Sequence, residues 1–378
     1  AFTNGGDMFY TEKCKGLSVK TSSGSVNALV GMKDAKGYAS ANSDLFCSGQ
    51  AGMMGVALDP NFNKNRRVYV ASTSNKYHGS GCKDNFSKCD GNIIMRFEVS
   101  KDLKSVSNRV DIVKDIQYKP FESDHPFGGP GAHNGNRLRF GPEGYLWATT
   151  GDRHRGVVPQ SPKLLGGNVL RIDTDGKAHP GNKPPKGFDK RMYTYGHRNV
   201  QGIAIHPVTS EIWAHEHGPQ GGDELNIVLK GKNYGWPKVT FGKEYGSGRK
   251  IGMGTSLPGY EDPKYVWVPS IAPSGMIFYG GNMFPEFKNK IILGSLKYKR
   301  LHILSLKDQK VVDEIVIMKS NFFIGNNGLN MFDNSIFKKN ISMNKFTLKN
   351  VFNFDNDVVE IYESKISQKL LDKKFRDY

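Results

Sequence analysis

NRLRFGPEGYLWATTGD, residues 136–152, reads as two strands around a tight turn. Apolar residues alternate with polar ones up to Phe140, Gly141-Pro142-Glu143-Gly144 supplies the turn, and a second apolar stretch follows. Alternation interrupted by turn residues is the signature of a β-hairpin. Three further segments repeat the plan: GMMGVALDPNFNKNRRVYVAST from Gly52, VQGIAIHPVTSEIWAHEHG from Val200 and SGMIFYGGNMFPEFKNKIILGSL from Ser274. They recur at roughly 65 to 85 residues, with strand-like NIIMRFEVS (92–100) and NVLRIDTDG (168–176) between them. A hairpin with outer strands, repeated along the chain, predicts an all-β protein whose sheets are the four-stranded antiparallel blades of a β-propeller. A β-sandwich is the alternative with the same local signals.

The bulk numbers agree with a turn-dense β chain. The 378 residues contain 44 glycines and 18 prolines, and both residues punctuate turns. That length suits two domains or one large repetitive architecture. The repeat favours the second, so residues 1–378 are expected to form a single propeller domain. Residues 45–300 carry the motifs, and 301–378 form a divergent C-terminal part. There the rhythm breaks: no glycine follows Gly328, no proline follows Pro285, and 321–356 is rich in Asn, Lys and Phe.

The formal net charge is +17. Basic chains can bind nucleic acid, anionic surfaces or anionic small molecules. Here Lys and Arg are scattered and no nucleic-acid-binding motif is present, so no nucleic-acid partner is expected. No run of 18 or more apolar residues occurs, and no membrane span is expected.

Four cysteines, Cys14, Cys47, Cys82 and Cys89, all lie in the first quarter of the chain. CKDNFSKC can close a small Cys82–Cys89 loop, which leaves Cys14–Cys47 as the second pair. Four cysteines allow three connectivities, and spacing alone does not choose. Close CxxC pairs, the usual mark of a four-cysteine zinc site, are absent. Two disulfides, with a sequence that opens at Ala1 without Met, predict an exported protein, periplasmic or secreted.

The candidate chemistry sits at strand ends. His133 precedes the first strand of the 136–152 hairpin and Asp152 follows the second, so the hairpin brings them together. A His oriented by an Asp is a general-base arrangement. YGHRNVQGIAIHP (195–207) places Arg198 and Asn199 at a strand entrance, where they suit a planar ligand bearing carbonyls or carboxylates. GSLKYKR (294–300) ends a strand on Lys297, a possible anion contact.

HEHGPQGGDELN (215–226) invites a zinc reading, but its histidines are two apart and GPQGG cannot continue a helix, unlike HExxH. Carboxylates at Asp223 and Glu224 and the carbonyls of a Gly/Pro loop suit a hard cation such as Ca²⁺ instead.

Together these stretches resemble the soluble glucose/sorbosone dehydrogenase family, the PQQ-dependent aldose sugar dehydrogenases. The matching motifs are GQAGMMGVALDPNF, HNGNRLRFGPEGYLWATTGD, GHRNVQGIAIHP, EHGPQGGDELN, NYGWP, PSIAPSGM and GSLK, in the family's order across about residues 45 to 300. The resemblance implies a six-bladed propeller carrying pyrroloquinoline quinone (PQQ) and Ca²⁺. It implies a quinoprotein that oxidises aldose sugars and works as a monomer or homodimer.

It also implies roles. His133 is the base, Asp152 its orienting carboxylate, Arg198 a catalytic cation and Gln50 a substrate contact. Arg198, Asn199 and Lys297 contact the cofactor. The main-chain oxygens of Gly218 and Pro219 hold the active-site Ca²⁺, while Glu224 and Tyr234 serve a second ion. The family's Arg-x-Arg-Asp motif does not follow Lys297 closely; its nearest match is KFRDY at 374–378, which assigns Arg376 to the cofactor and makes the last blade divergent or incomplete. A non-catalytic propeller binding a ligand or partner is the competing implication. The joint presence of His133, Asp152, Gln50 and Arg198 favours the enzyme.

Overall fold

The computed structural model describes residues 1–77, 91–117, 132–298, 300–307, 310–320, 346–354 and 357–364. Cys82, Cys89 and Arg376 lie outside them. The chain divides into two compact units. One holds Ala1–Ile203 and Ser210–Pro269, the other Ala204–Thr209 and the chain from Ser270 onward.

Four sheets follow one another in the first part of the chain. The first joins β1 (Met8–Glu12), β2 (Gly16–Lys20), β3 (Val26–Gly31) and β4 (Ser40–Ala41), with β4 parallel to β3. The second is an antiparallel meander of β5 (Met53–Leu58), β6 (Arg67–Ser74), β7 (Gly91–Val99) and β8 (Val106–Gln117). The third comprises β9 (Gly135–Phe140), β10 (Leu146–Thr150), β11 (Val169–Ile172) and β12 (Met192–Thr194). The fourth comprises β13 (Val200–Ile205), β14 (Ile212–Glu216), β15 (Asp223–Ile227) and β16 (Tyr265–Trp267).

The second unit carries a sheet in the order β17 (Pro273–Phe278), β18 (Ile291–Ser295), β19 (Arg300–Lys307), β20 (Lys310–Ser320), β22 (Asp357–Ser364), β21 (Phe346–Phe354). It has six strands rather than four, so the C-terminal part departs from the repeat as an enlarged sheet. The fold is all-β, built mainly of four-stranded antiparallel sheets, and consistent with a β-propeller.

The four repeating segments become the neighbouring strands β5–β6, β9–β10, β13–β14 and β17–β18. Antiparallel register is set where the sequence places the turns, at Leu58↔Val68, Phe140↔Leu146 and Phe278↔Ile291. In β5 buried and half-buried positions alternate, the period-2 pattern of a strand with one core face. The first turn contains a short helix, α1 (Phe62–Asn65), whose Phe62 ring packs edge-on against Phe9 at 5.5 Å.

Within the first unit β5 lies against both β1 and β9, so the leading strands of successive sheets are neighbours. The sheets bury their faces on one another. Phe9, Leu17 and Leu29 of the first sheet join Val68, Val70 and Met95 of the second in one core. Tyr69, Ala71 and Ile94 of the second join Leu138, Leu146 and Leu170 of the third in the next. Each fully buried Leu or Val of these cores contributes roughly 1.5–3 kcal/mol.

Cys14 and Cys47 are bonded, with Cα atoms 5.1 Å apart and a sequence separation of 33. The bond ties the β1–β2 turn to the segment leading into β5. Closing a loop of that length restricts the unfolded chain by roughly 3.5–4 kcal/mol. Cys14→Ser with Cys47→Ser is expected to lower stability by about that amount, read as the urea unfolding free energy extrapolated to water, with a steeper slope because the unfolded chain expands. An unchanged free energy would show that the bond adds nothing to the fold.

Candidate active site

The site begins at the open end of the β9–β10 hairpin. Gly135 pairs with Thr150, so the residues just outside the pair, His133 and Asp152, face each other. The backbone crossing is tight: a Cβ on Gly151 would fall 2.0 Å from the His133 carbonyl oxygen, so only glycine fits. His133 itself turns in the left-handed region at φ 52°. Its Nδ1 lies 2.5 Å from Asp152 Oδ1, and both side chains are buried.

Asp152 is held from two other sides. Trp236 Nε1 donates to its Oδ2 at 2.7 Å and the His154 amide to its Oδ1 at 2.9 Å. Burial pushes the Asp152 carboxyl above the usual carboxylate range, while the Arg198 guanidinium opposes that shift. The His133 amide donates to Gln50 Oε1 at 3.1 Å, so Gln50 also joins this cluster. With Nδ1 turned to Asp152, the ring's other nitrogen, Nε2, faces His154 Nε2 at 2.5 Å.

The entrance to β13 is attached to the same place. Gly151 bridges Asn199, and the Asp152 amide donates to the Arg198 carbonyl at 2.7 Å. Arg198 lies with its guanidinium 5.2 Å from the Trp236 ring centroid. Its Nη1 donates to the carbonyls of His217 at 2.9 Å and Gly218 at 2.5 Å. The Arg198 Nε is buried without a hydrogen-bond partner among the described residues. Asn199 is committed to the scaffold: its Oδ1 accepts from the Gly135 amide at 3.2 Å and from Gln201 at 2.8 Å.

Glu216, at the end of β14, joins this group. Its Oε1 accepts from His197 Nδ1 at 2.8 Å and Asn226 Nδ2 at 3.2 Å, and its Oε2 accepts from the Arg198 amide at 2.5 Å. A small cavity opens beside it, lined in part by Arg198, Glu216, Gly218, Glu224, Tyr234 and Trp236. Its lining carries two carboxylates, Glu216 and Glu224, beside the Arg198 guanidinium. Asn226 Oδ1 is buried without a partner among the described residues, and Asn226 Nδ2 reaches Glu224 at 3.3 Å. The surrounding protein, then the nearby charge of Glu216, push the Glu224 carboxyl well above its usual range.

A carboxyl raised on folding binds its proton more tightly in the native state. Its contribution therefore falls as pH rises above the ordinary value of 4.5. Glu224→Gln, which cannot ionise, is expected to gain stability over wild type as pH rises, measured by urea unfolding in chelator. Parallel pH curves would contradict the strained carboxylate.

The structure thus brings Gln50, His133, Asp152, Arg198, Asn199 and Gly218 into one cluster. Pro219 follows Gly218 in the turn that leads to β15, and the Gly218 amide is fixed by Asp223 Oδ1 at 2.9 Å. Gly218's carbonyl, expected to bind calcium, accepts from Arg198 here. Tyr234 lines the cavity, but its hydroxyl is engaged by the Ile227 carbonyl and the Leu229 amide, and its ring stacks on His197 at 4.3 Å. Lys297 belongs to the second unit, in the turn after β18, with its ammonium 5.2 Å from the Tyr298 ring centroid. Among the described residues no three or more His, Cys, Asp or Glu form a metal-holding group.

Three residues of the cluster were not singled out from sequence: His154, Glu216 and Trp236. Trp236 lies inside NYGWP, and Glu216 between the two histidines that drew attention to zinc. Their signal was position beside a motif, with no spacing rule to assign it.

A family model described as Glucose / Sorbosone dehydrogenase matches residues 1–322. The chain is 33% identical over 276 residues to the aldose sugar dehydrogenase YliI of Escherichia coli (strain K12), covering 72% of this chain and 69% of that one. It is 30% identical over 253 residues to quinoprotein glucose dehydrogenase B of Acinetobacter calcoaceticus, covering 61% and 48%. Across these and a further curated relative it spans 48% to 69% of their own lengths. The solved structure of the soluble aldose sugar dehydrogenase from Escherichia coli, in the apo-form, superposes with a TM-score of 0.68 at 26% identity, over 94% of this chain and 92% of that one.

Proposed function

The chain belongs to the glucose/sorbosone dehydrogenase family, and on that premise we propose that it oxidises the anomeric hydroxyl of aldose sugars to lactones with PQQ as cofactor. The observation that carries this reading is the buried His133–Asp152 pair, in which a carboxylate orients the imidazole as a general base. A module that only binds a ligand has no use for an oriented base. The relative named a quinoprotein supports the choice of cofactor.

The residues fit an anionic, planar group. Arg198 offers a buried guanidinium with an unsatisfied Nε beside the Trp236 face. PQQ, when bound, supplies the hydride acceptor at its C5 carbonyl, the chemistry the protein itself lacks. Arg198 and Asn199 would hold it, and by family resemblance Lys297 and Arg376 serve its carboxylates. Calcium would supply a Lewis acid, with the main-chain oxygens of Gly218 and Pro219 as its ligands. Glu224, with Tyr234 in the same lining, belongs to a second cation site, and the carboxylates of Glu216 and Glu224 in that lining suit a hard cation.

The protein's own part is proton chemistry. His133 Nε2 takes the proton of the anomeric hydroxyl. Asp152 fixes the tautomer and stabilises the imidazolium, while Trp236 fixes Asp152. Gln50 anchors the His133 backbone at the sugar side of the site. The Arg198 guanidinium favours negative charge where it develops.

Two broader assignments belong to this proposal. The sheets are those of one six-bladed propeller domain, and the disulfide-bonded chain works in the periplasm or outside the cell. The test is reconstitution: protein supplied with PQQ and Ca²⁺ is expected to reduce an artificial dye on addition of aldoses. Folded, cofactor-loaded protein that stays silent across a broad aldose panel would refute the enzyme.

A further inference from the structure

We infer that His154 caps the base in the substrate-free protein, and that a sugar hydroxyl must displace it to reach His133. The inference rests on the dehydrogenase reading for its kinetic consequence, and on geometry alone for the cap. His154 Nε2 lies 2.5 Å from His133 Nε2, with the two rings edge to face. That is the nitrogen the proposed chemistry requires.

The hydrogen bonds run in one direction. Asp152 accepts at His133 Nδ1, so Nε2 of the neutral ring carries a lone pair. The partner at that lone pair must donate, which makes His154 the Nε2–H tautomer. His133 is 5% exposed, and a buried acceptor left without a donor is costly. His154 supplies the donor when no hydroxyl is present. It therefore positions the ring from the end opposite to Asp152.

The backbone is shaped to deliver it. Arg153 and His154 are consecutive non-glycine residues in the left-handed region, at φ 61° and 54°. Such residues are uncommon and persist where surrounding contacts impose them. Here the contacts lie in the same loop: Arg153 Nη1 donates to the His133 carbonyl at 3.0 Å and to Asn134 Oδ1, and the His154 amide to Asp152. The loop closes onto the hairpin end and carries the His154 ring over the base. The charged groups facing the pair are Asp152, Arg153 and Arg198.

Displacing a hydrogen bond of ordinary net strength weakens apparent sugar affinity by about two- to tenfold. In PQQ- and Ca²⁺-loaded enzyme, His154→Ala is therefore expected to lower KM by that factor. His154→Phe, which keeps a ring but cannot donate, is expected to do the same. A raised KM, or a collapse in kcat, would overturn the cap and make His154 a working contact. The second readout needs no activity. In the cofactor-free protein labelled with ¹⁵N-histidine, the two Nε2 atoms are expected to show scalar coupling across the hydrogen bond, and its absence would also overturn the proposal. If wild-type enzyme is silent with every aldose, the dehydrogenase reading fails while this coupling still decides the cap.

Discussion

His133→Ala is expected to lower dye-coupled turnover by about 10²- to 10⁴-fold, the usual contribution of a positioned general base. Cofactor binding is expected to survive, because the main-chain bonds that tie His133 to its surroundings do not depend on its ring. Its amide donates to Gln50 and its carbonyl accepts from Arg153, and alanine keeps both. Asp152 keeps the Trp236 and His154 donors. Alanine at a left-handed position adds a cost of about 1 kcal/mol, too small to unfold a domain. The measurement pairs initial rates with PQQ titration on the same preparation. Near-normal rates would remove His133 from the chemistry. Lost PQQ binding would mean that the ring, rather than the proton transfer, was needed.

Glu216→Ala is expected to be the most damaging single change to stability among the residues of the site, at about 3–5 kcal/mol. Three buried donors converge on this carboxylate, from His197, the Arg198 backbone and Asn226. Removing it strands the His197 and Arg198 donors, while Asn226 Nδ2 keeps Glu224, and His197 is fully buried. Chemical denaturation provides the readout. Glu216→Gln keeps one acceptor oxygen and is expected to lose less, while removing the charge that helps to push Glu224 upward. A loss below about 1 kcal/mol for Glu216→Ala would show that water replaces the carboxylate without strain.

The strands were readable because alternation and turn chemistry act locally. The 136–152 segment specifies its own hairpin, and a hairpin of known length fixes which residues meet at its open end. That is why His133 and Asp152 could be paired in advance. The first sheet gave no comparable signal: β1 and β2 are five residues each, and β4 only two. Such short runs become strands because neighbours bury them. Gln50 and Trp236 reach the hairpin across 83 and 84 residues of chain. No pattern within either segment encodes that approach. Glu216 is hidden in another way. A glutamate at a strand end reads as solvent-facing until the donors that surround it are known.

Those long separations have a consequence for how the protein matures. Two of the contacts that orient the proposed base, from Gln50 and Trp236, are among the last kind a folding chain secures, since distant partners must pay loop-closure entropy before they are rewarded. A chain with its hairpins formed but these distant segments undocked has His133 without its anchor and Asp152 without Trp236. Under the dehydrogenase reading, turnover serves as a timer of maturation: on refolding, activity is expected to return after strand content has already recovered.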